Sequence, residues 1–515
     1  MRIVLEVSAR GARRFHRLLR DRLARRFPHD EVSLAFVDGA PALPGAVALL
    51  LAFERMVFRR SRETLCDALE ASEIGASASG AADVVIDLSG RAGGNAANAL
   101  TLRPLFDGEA SEAAMIGALL AGRAPLVAIE NATAGQIVCA GAPSLEAADG
   151  VTGGMEAVYS RVMILLETAL RAPDASLPPM LRAAHAISSA AIARRVIGGL
   201  ARDAVRKLYH LCCYAPHWRI GWRAHDGPGV MELGHLKGPK WSVLADPGRR
   251  FFADPFPIAR NGRTYVFFED LDHYVGKGII SAIEFGPDGP VGGVFPVLEE
   301  PWHLSYPFLI EADGELWMIP ESSKSGQVTL YRCIDFPRKW ERSDALLQGV
   351  EAADATIVAH DGLFYMMSAV REDHGAYSDT LAIHHAAKLQ GPWTEHALRP
   401  ALVDASAARP AGAIVRKDGA LWRPVQDCTH GYGHALRLAR IDRLDPEGFA
   451  QTFTASIGSN ALWPGGRLHT LNRAGRLEVI DGVSIAPKFA PLRALVASRL
   501  APGDSAEGIG AEASA

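Results

Sequence analysis

The sequence has little cysteine: Cys66, Cys139, Cys212, Cys213, Cys333 and Cys428 are scattered through 515 residues, and no CxxC occurs. A disulfide framework is therefore not the organising device, and a reducing compartment fits better. Long apolar runs are missing too. The most apolar stretch, Ala46 to Phe53, stops at Glu54 and Arg55, well short of the roughly 18 residues a membrane-spanning helix needs. The first residues, MRIVLEVSARGARRF, put a short apolar run before the arginines, the reverse of a secretory signal. A cytoplasmic location is the expectation. Charge of one sign is also lacking. The net charge is −4, which gives no case for a nucleic-acid partner.

What the chain does have is a repeat. Phe252 to Asp270, FADPFPIARNGRTYVFFED, reads as a strand, a tight turn at Asn261-Gly262 and a second strand. The pattern returns in SYPFLIEADGELWMIPES from Ser305, ADATIVAHDGLFYMMS from Ala353 and RPAGAIVRKDGALWRPVQD from Arg409. A worn copy, GRLHTLNRAGRLEVIDG, starts at Gly466. The turn glycines, Gly262, Gly314, Gly362, Gly419 and Gly475, recur every 48 to 57 residues. Several strands in each such period are the mark of a β-propeller, and five copies imply five blades. The propeller is expected over residues 218–492. A segment near Trp218 or Trp241 is expected to close the ring on the last blade, because closure removes exposed sheet edges.

The N-terminal part reads differently. Arg2–Val7, Glu31–Val37, Ala82–Leu88, Pro125–Glu130 and Gly135–Ala140 read as strands. Arg13–Arg26 and Ser61–Ala71 read as helices, and Gly45–Phe58 fits either. This alternation predicts an α/β domain over residues 1–150 with a mainly parallel sheet. Ligands of such sheets bind at the carboxyl ends of strands, here Asp87, Ser89, Gly90, Arg91, Gly93, Gly94 and Asn95. Ser89, Gly90 and Asn95 are the candidate cofactor-binding residues, in a turn whose N–H groups can cradle a phosphate. The plainer reading is a loop that needs positive φ angles. The turn is neither a GxGxxG nor a lysine-bearing P-loop, and the sequence names no cofactor.

Residues 151–217 read as a helical connector, starting with the amphipathic Glu156–Arg171 and continuing in Ala-, Ile- and Arg-rich helix from Leu177 to Tyr214. A basic amphipathic helix suits a membrane surface, but packing on a neighbouring domain is the favoured expectation. Residues 493–515 are rich in Gly, Ala, Ser and acid and are expected to be disordered.

The blade motifs carry a resemblance. ADPFPIARNGRTYVFFE resembles the five-bladed propellers of furanosidase-type glycoside hydrolases. The run from ADPFP through HLSYPFLIEADGELWMIPES resembles more closely the propeller domain of plant glucosamine inositolphosphorylceramide transferases. The resemblance covers about half the chain and implies a carbohydrate-active protein, with a sugar or glycolipid as substrate and a nucleotide sugar as a further candidate partner. The hydrolases use three carboxylates at the funnel mouth. Asp254 matches their first-blade base or nucleophile, and Asp354 matches the acid-tuning aspartate. Their proton donor follows the tuning aspartate in the chain. Here the fourth blade begins Arg409-Pro410, and the nearest fit is Glu321, with Glu269 at a similar place in blade one. Ser305, Tyr306, His303, Arg409, Gln426 and His430 complete the expected mouth as substrate-binding residues. Trp302, Arg371 and His434 are further mouth candidates. His430 and His434 flank two glycines in HGYGH, a loop rather than a helical zinc pair, so no metal site is expected. The readings left open are glycosyl transfer or hydrolysis, a non-catalytic sugar-binding scaffold, and an acyl or formyl transferase with an accessory propeller. The last rests on the N-terminal layout, which is similar to a degenerate formyltransferase without its HxSLLP stretch.

Overall fold

The computed structural model describes residues 1–489 and 491, apart from 10, 38, 40–42, 59–63, 70–80, 92–98, 179–181, 184, 373–374, 461 and 464. Asn95, Gly93, Gly94, both ends of the expected 61–71 helix and the 493–515 tail fall outside the described residues; residues 64–69 form a turn and an isolated bridge from Ala68 to Arg13 instead of the expected helix, with Asp67 accepting the Thr64 N–H and hydroxyl.

The N-terminal part is built on a six-stranded sheet in the order β2-β1-β3-β4-β5-β6. The strands are β1 (Arg2–Ser8), β2 (Glu31–Val37), β3 (Val84–Leu88), β4 (Leu100–Phe106), β5 (Val127–Asn131) and β6 (Gln136–Gly141). The joins among β2, β1, β3 and β4 are parallel and the last two are antiparallel. The sheet is thus mixed: after α3 the chain turns back to lay β5 against β4, and a short turn then adds β6. The helices are α1 (Arg14–Arg26), α2 (Gly45–Val57), α3 (Glu112–Leu120), α4 (Gly150–Arg171) and α5 (Ser189–Cys212).

The expected connector divides in two. Almost every residue of α4 is buried, and Val151, Met155, Val158, Val162 and Leu166 join the same core as β1 and β3. This helix belongs to the N-terminal core, since its apolar positions run round most of its circumference, as in a central helix. Only α5 is left as a link, and it has no buried residue.

From Trp218 the chain forms five sheets. Blade I spans residues 250–298, blade II 305–348, blade III 352–403 and blade IV 415–458. Blade V takes its inner strands from Leu471–Ala474 and Leu477–Val483 and its outer strands from Trp218–Ala224 and Ser242–Val243. The ring is therefore closed by pairing the last blade with the start of the propeller, as the sequence implies. Aromatic side chains fill the gaps between blades. Phe256 of blade I packs edge-on to Tyr306 and Phe308 of blade II. Each such ring, removed from water, stabilises by roughly 1.5–3 kcal/mol.

The N-terminal part docks on blade III. Arg161 of α4 and Asp379 form a fully buried ion pair at 3.0 Å, and the Ser144 N–H donates to the same carboxylate. Ala142 pairs with Asp404 in a β-bridge. Glu146 accepts from the Ser378 hydroxyl. Breaking a buried ion pair from one side costs about 3–5 kcal/mol, so this contact is a fixed joint.

Candidate active site

The innermost strands begin with a shared device. In blades I, II and III the pairing to the second strand slips once, between Ala253 and Phe256, Ser305 and Phe308, and Ala353 and Thr356. The slip falls on Asp254, Tyr306 and Asp354, whose φ angles are +52°, +41° and +55°. Aspartate visits this left-handed region at modest cost, but a tyrosine does not. The bulge at Tyr306 is thus imposed by the ring rather than by local preference. Bulges re-aim side chains, and here they turn them toward the meeting point of the blades. Across from the bulges, the second strands carry Glu269, Glu321 and Ala369. Gln426 and Asp481 hold the corresponding places in blades IV and V, bonded to Arg409 and Thr470.

Asp254 is buried, and both its oxygens are in use. Thr470 Oγ1 donates to Oδ1 at 2.9 Å and the Tyr306 N–H donates to Oδ2 at 3.2 Å. His469 Nε2 lies 3.2 Å from Oδ1, while His469 Nδ1 lies 2.7 Å from Asp481. Asp481 also accepts the Asp254 N–H at 2.8 Å. Trp218 stacks on the His469 ring with centres 3.9 Å apart. Burial pushes the Asp254 carboxyl up to about 7, with the charge of His469 acting against that rise. Burial opposes charge on His469, but Asp481 and Asp254 outweigh it and raise its pKa.

Asp354 has other partners. Arg409 Nε donates to it at 2.6 Å and Gln426 Nε2 at 3.0 Å. Burial raises its pKa and Arg409 pulls it back. The Arg409 guanidinium lies over the Tyr432 ring, 4.6 Å from its centre, and is influenced by Glu146 from the N-terminal part. Both parts of the chain thus act on one cation.

Glu269 and Glu321 complete the cluster. Burial, followed by the charges of Asp254 and Glu321, lifts Glu269 well above the usual carboxylate range. His303 Nε2 lies 3.3 Å from Glu269. His303 Nδ1 accepts the Gly278 N–H at 2.9 Å, so the ring proton sits on Nε2 and faces the glutamate. Burial lowers the His303 pKa. Glu321 is half-buried and accepts from the hydroxyls of Ser305 at 2.8 Å and Ser323 at 2.7 Å.

The three carboxylates proposed from sequence, Asp254, Glu321 and Asp354, lie within one electrostatic cluster. Ser305, Arg409, Gln426 and His303 hold its members. Tyr306 corrects an expectation: it is fully buried, its hydroxyl accepts the Gly412 N–H at 2.7 Å and meets Thr356 at 2.9 Å, and it acts as a strut between blades. His430 is exposed and packs on His434, and among the described residues no hydrogen bond joins it to the carboxylates. The sequence reading missed His469 and Asp481. Both lie in the worn fifth copy, and aligning VID of that copy with FFE and IPE would have exposed Asp481.

The donor atoms of Asp254, His469 and Asp481 lie within 4.8 Å of one another, close enough for a cation. However, both ring nitrogens already face carboxylates, an arrangement that suits a protonated histidine.

A second concave site lies in the N-terminal part, at the carboxyl ends of β1 and β3. It is a cavity of about 500 Å³ lined by Ser8, Phe15, Val47, Leu51, Ser89 and Gly90 among others. Ser89 is taken up locally, its hydroxyl donating to Asp87 at 2.6 Å, and Asp87 pairs with Arg103 at 2.8 Å. Gly90 has φ +72°, as the plainer reading of the turn requires. At the polar end, Arg13 and Tyr159 both bind Glu112. His16, pushed down to about 4 by burial, is neutral there.

Residues 243–483 match the family described as glucosamine inositolphosphorylceramide transferase 1, N-terminal. The chain is 32% identical over 228 residues to glucosamine inositolphosphorylceramide transferase 1 of Arabidopsis thaliana, covering 42% of this chain and 30% of that protein. It is 30% identical over 247 residues to the protein of the same name from Oryza sativa subsp. indica, covering 45% and 33%. Among solved structures, it is similar to Zg3597, a family 117 glycoside hydrolase of Zobellia galactanivorans. That match has 11% identity, a TM-score of 0.34, and covers 52% of this chain and 90% of that one. It is also similar to the catalytic domain of a GH62 alpha-L-arabinofuranosidase of Coprinopsis cinerea, with 14% identity, a TM-score of 0.35, and coverage of 50% and 85%. The chain spans about a third of the length of the curated relatives it matches.

Proposed function

We propose that the propeller funnel binds a sugar or glycolipid head group and performs glycosyl transfer on it, with a nucleotide sugar as donor. The observation that carries this reading is the meeting of Asp254, Glu269, Glu321 and Asp354 beside Arg409. Glycosidic-bond chemistry needs one carboxyl group that stays protonated and another that ionises, and an enzyme separates them by environment. Asp254, with a pKa of about 7, is the base or nucleophile. Glu269, held well above its usual range, keeps its proton and is the general acid. Glu321, placed as the acid by sequence, instead orients the substrate with its two serine partners, and Asp354 does so with Arg409. The family match covers all four carboxylates.

The test is direct. The full chain is incubated with UDP-N-acetylglucosamine and inositolphosphorylceramide, and separately with p-nitrophenyl α-L-arabinofuranoside, and products are followed by mass spectrometry and absorbance. Turnover by the wild type and its loss in Asp254→Asn supports the reading. Sugar binding without turnover, with equal affinity in Asp254→Asn, replaces it with a non-catalytic sugar-binding scaffold.

One observation favours a second reading, acyl or formyl transfer in the N-terminal cavity: neutral His16 lines that cavity beside Ser89 and Gly90. His16→Asn leaves sugar transfer unchanged under the first reading. Under the second, it abolishes the activity and Asp254→Asn does not.

A further inference from the structure

Helix α5 divides along its length. Its start is capped by Ser188, whose hydroxyl accepts the Ala191 N–H at 3.1 Å. Ala191, Ile192 and Val196 then rest on the N-terminal core. Beyond them the helix leaves that support. Ile197, Leu200, Leu208 and Leu211 are each at least half exposed. Their spacing, with Ala204 between, sets them on one face. α5 carries Arg194, Arg195, Arg202, Arg206 and Lys207 against a single acid, Asp203; at 100° per residue Arg194 and Lys207 border the stripe, and Arg195, Arg202 and Arg206 lie on the opposite face. Asp203 is already shared between Arg206 and Lys207, at 2.7 and 2.8 Å.

The stripe continues onto the propeller rim. The chain leaves α5 into Cys213–Tyr214, which pairs with Ala486–Pro487. The Lys488 N–H donates to the carbonyl of Cys212, and Lys488 Nζ donates to that of His210. Tyr214 stacks on His273, with centres 4.7 Å apart, and meets the edge of Tyr274. Around this joint Tyr274, Val275, Ile485 and Phe489 are exposed. His273 follows Glu269 by four residues, roughly 13 Å of extended chain. The rim that carries these apolar side chains therefore belongs to the same blade edge as the candidate acid.

We propose that α5 and the adjoining rim form a docking surface for an anionic lipid bilayer, which presents a glycolipid head group to the funnel. An exposed apolar stripe flanked by cations is what an interfacial helix needs: the apolar face enters the acyl boundary and the cations meet lipid phosphates. Water gives no return for leaving four large aliphatic side chains exposed beside a binding site. The bilayer rests on the glycolipid reading only for what it presents. Adhesion itself is read without any activity, so the two ideas fail separately.

The experiment is co-sedimentation of the full chain with vesicles of phosphatidylcholine alone and with 30 mol% phosphatidylglycerol. The wild type is expected to pellet with the anionic vesicles, and less so in 0.5 M NaCl. Leu200→Gln with Leu208→Gln is expected to weaken binding at least tenfold while leaving the melting temperature in place. Arg194→Gln with Lys207→Gln is expected to remove most of the salt-sensitive part. Asp254→Asn is expected to bind vesicles as the wild type does. Three outcomes overturn the proposal. In one, a monomeric wild type stays in the supernatant. In another, the wild type is a dimer that the leucine pair converts to monomer, which makes the stripe an interface between copies. In the third, the full chain stays unbound but binds once residues 493–515 are removed, which makes those residues the cover.

Discussion

The starts of blades I and III occupy the same structural position and hold the same residue, yet are wired differently. Asp254 faces a histidine that is itself held by Asp481, whereas Asp354 faces a fixed guanidinium and an amide. Arginine stays charged at any ordinary pH, so Asp354 has a permanent counter-ion. His469 can gain or lose its proton, so the charge on Asp254 depends on conditions. The repeat sets where a carboxylate stands, and the partner from another blade sets what it can do. Asp254 has a partner that can exchange a proton with it, and Asp354 has one that cannot.

That contrast can be broken by substitution. Asp254→Asn keeps the shape and removes the basic group, and turnover is expected to fall by about 10²–10⁴-fold with sugar binding nearly intact. Isothermal calorimetry beside a turnover assay separates the two, and a parallel loss of both would make Asp254 a binding residue. Glu269→Gln is expected to cost more in kcat than Glu321→Gln, and the reverse order would return the acid role to Glu321. Arg409→Met strands Asp354 as a buried unpaired charge. A loss of about 3 kcal/mol is expected by denaturant titration, part of it recovered when Asp354→Asn is added. No recovery would mean that Arg409 stabilises through Tyr432 instead.

The pH dependence sharpens the same contrast. Asp254 holds its proton up to about 7 in the folded chain, but only to about 3.9 when unfolded. The folded state therefore binds more protons across that window, and stability falls as pH rises through it. His469, raised above its usual value, adds stability that is likewise lost as pH rises through its folded pKa. Melting temperature should drop between pH 5 and pH 8, with a flatter slope in Asp254→Asn. An unchanged slope in the variant would show that the titrating group lies elsewhere. The smallest effect is expected for Ser305→Ala, which removes one hydrogen bond to Glu321 and should cost about 1 kcal/mol or less and a few-fold in KM.

The propeller was legible because its turns need glycine in a left-handed conformation: Gly262, Gly314, Gly362, Gly419 and Gly475 all have positive φ and set the period. Asp254 and Asp354 were legible because the same residue recurs at the same place in two copies. His469 and Asp481 were not, since the fifth copy is worn and half of its blade comes from residues 218–243, far away in sequence. The strut role of Tyr306 depends on Gly412, at the start of blade IV and 106 residues away, and no local pattern announces it. In the N-terminal part, the burial of α4 was hidden by its amphipathic look. Arg161 reads as a solvent-facing residue until Asp379, 218 positions later, accounts for it.

The split fifth blade also bears on how the protein is made. Domains tend to fold in order as the chain leaves the ribosome, but here the outer strands of blade V emerge long before the inner ones. Trp218–Ala224 must wait for Leu477–Val483, and over that interval its edge is open. Asp254 waits as well, because its partners Thr470 and Asp481 are synthesised 216 and 227 residues after it. A nascent chain stopped at blade IV holds every candidate carboxylate except Asp481 but lacks the histidine that governs Asp254. The candidate site is thus completed in one step, at the moment the ring shuts.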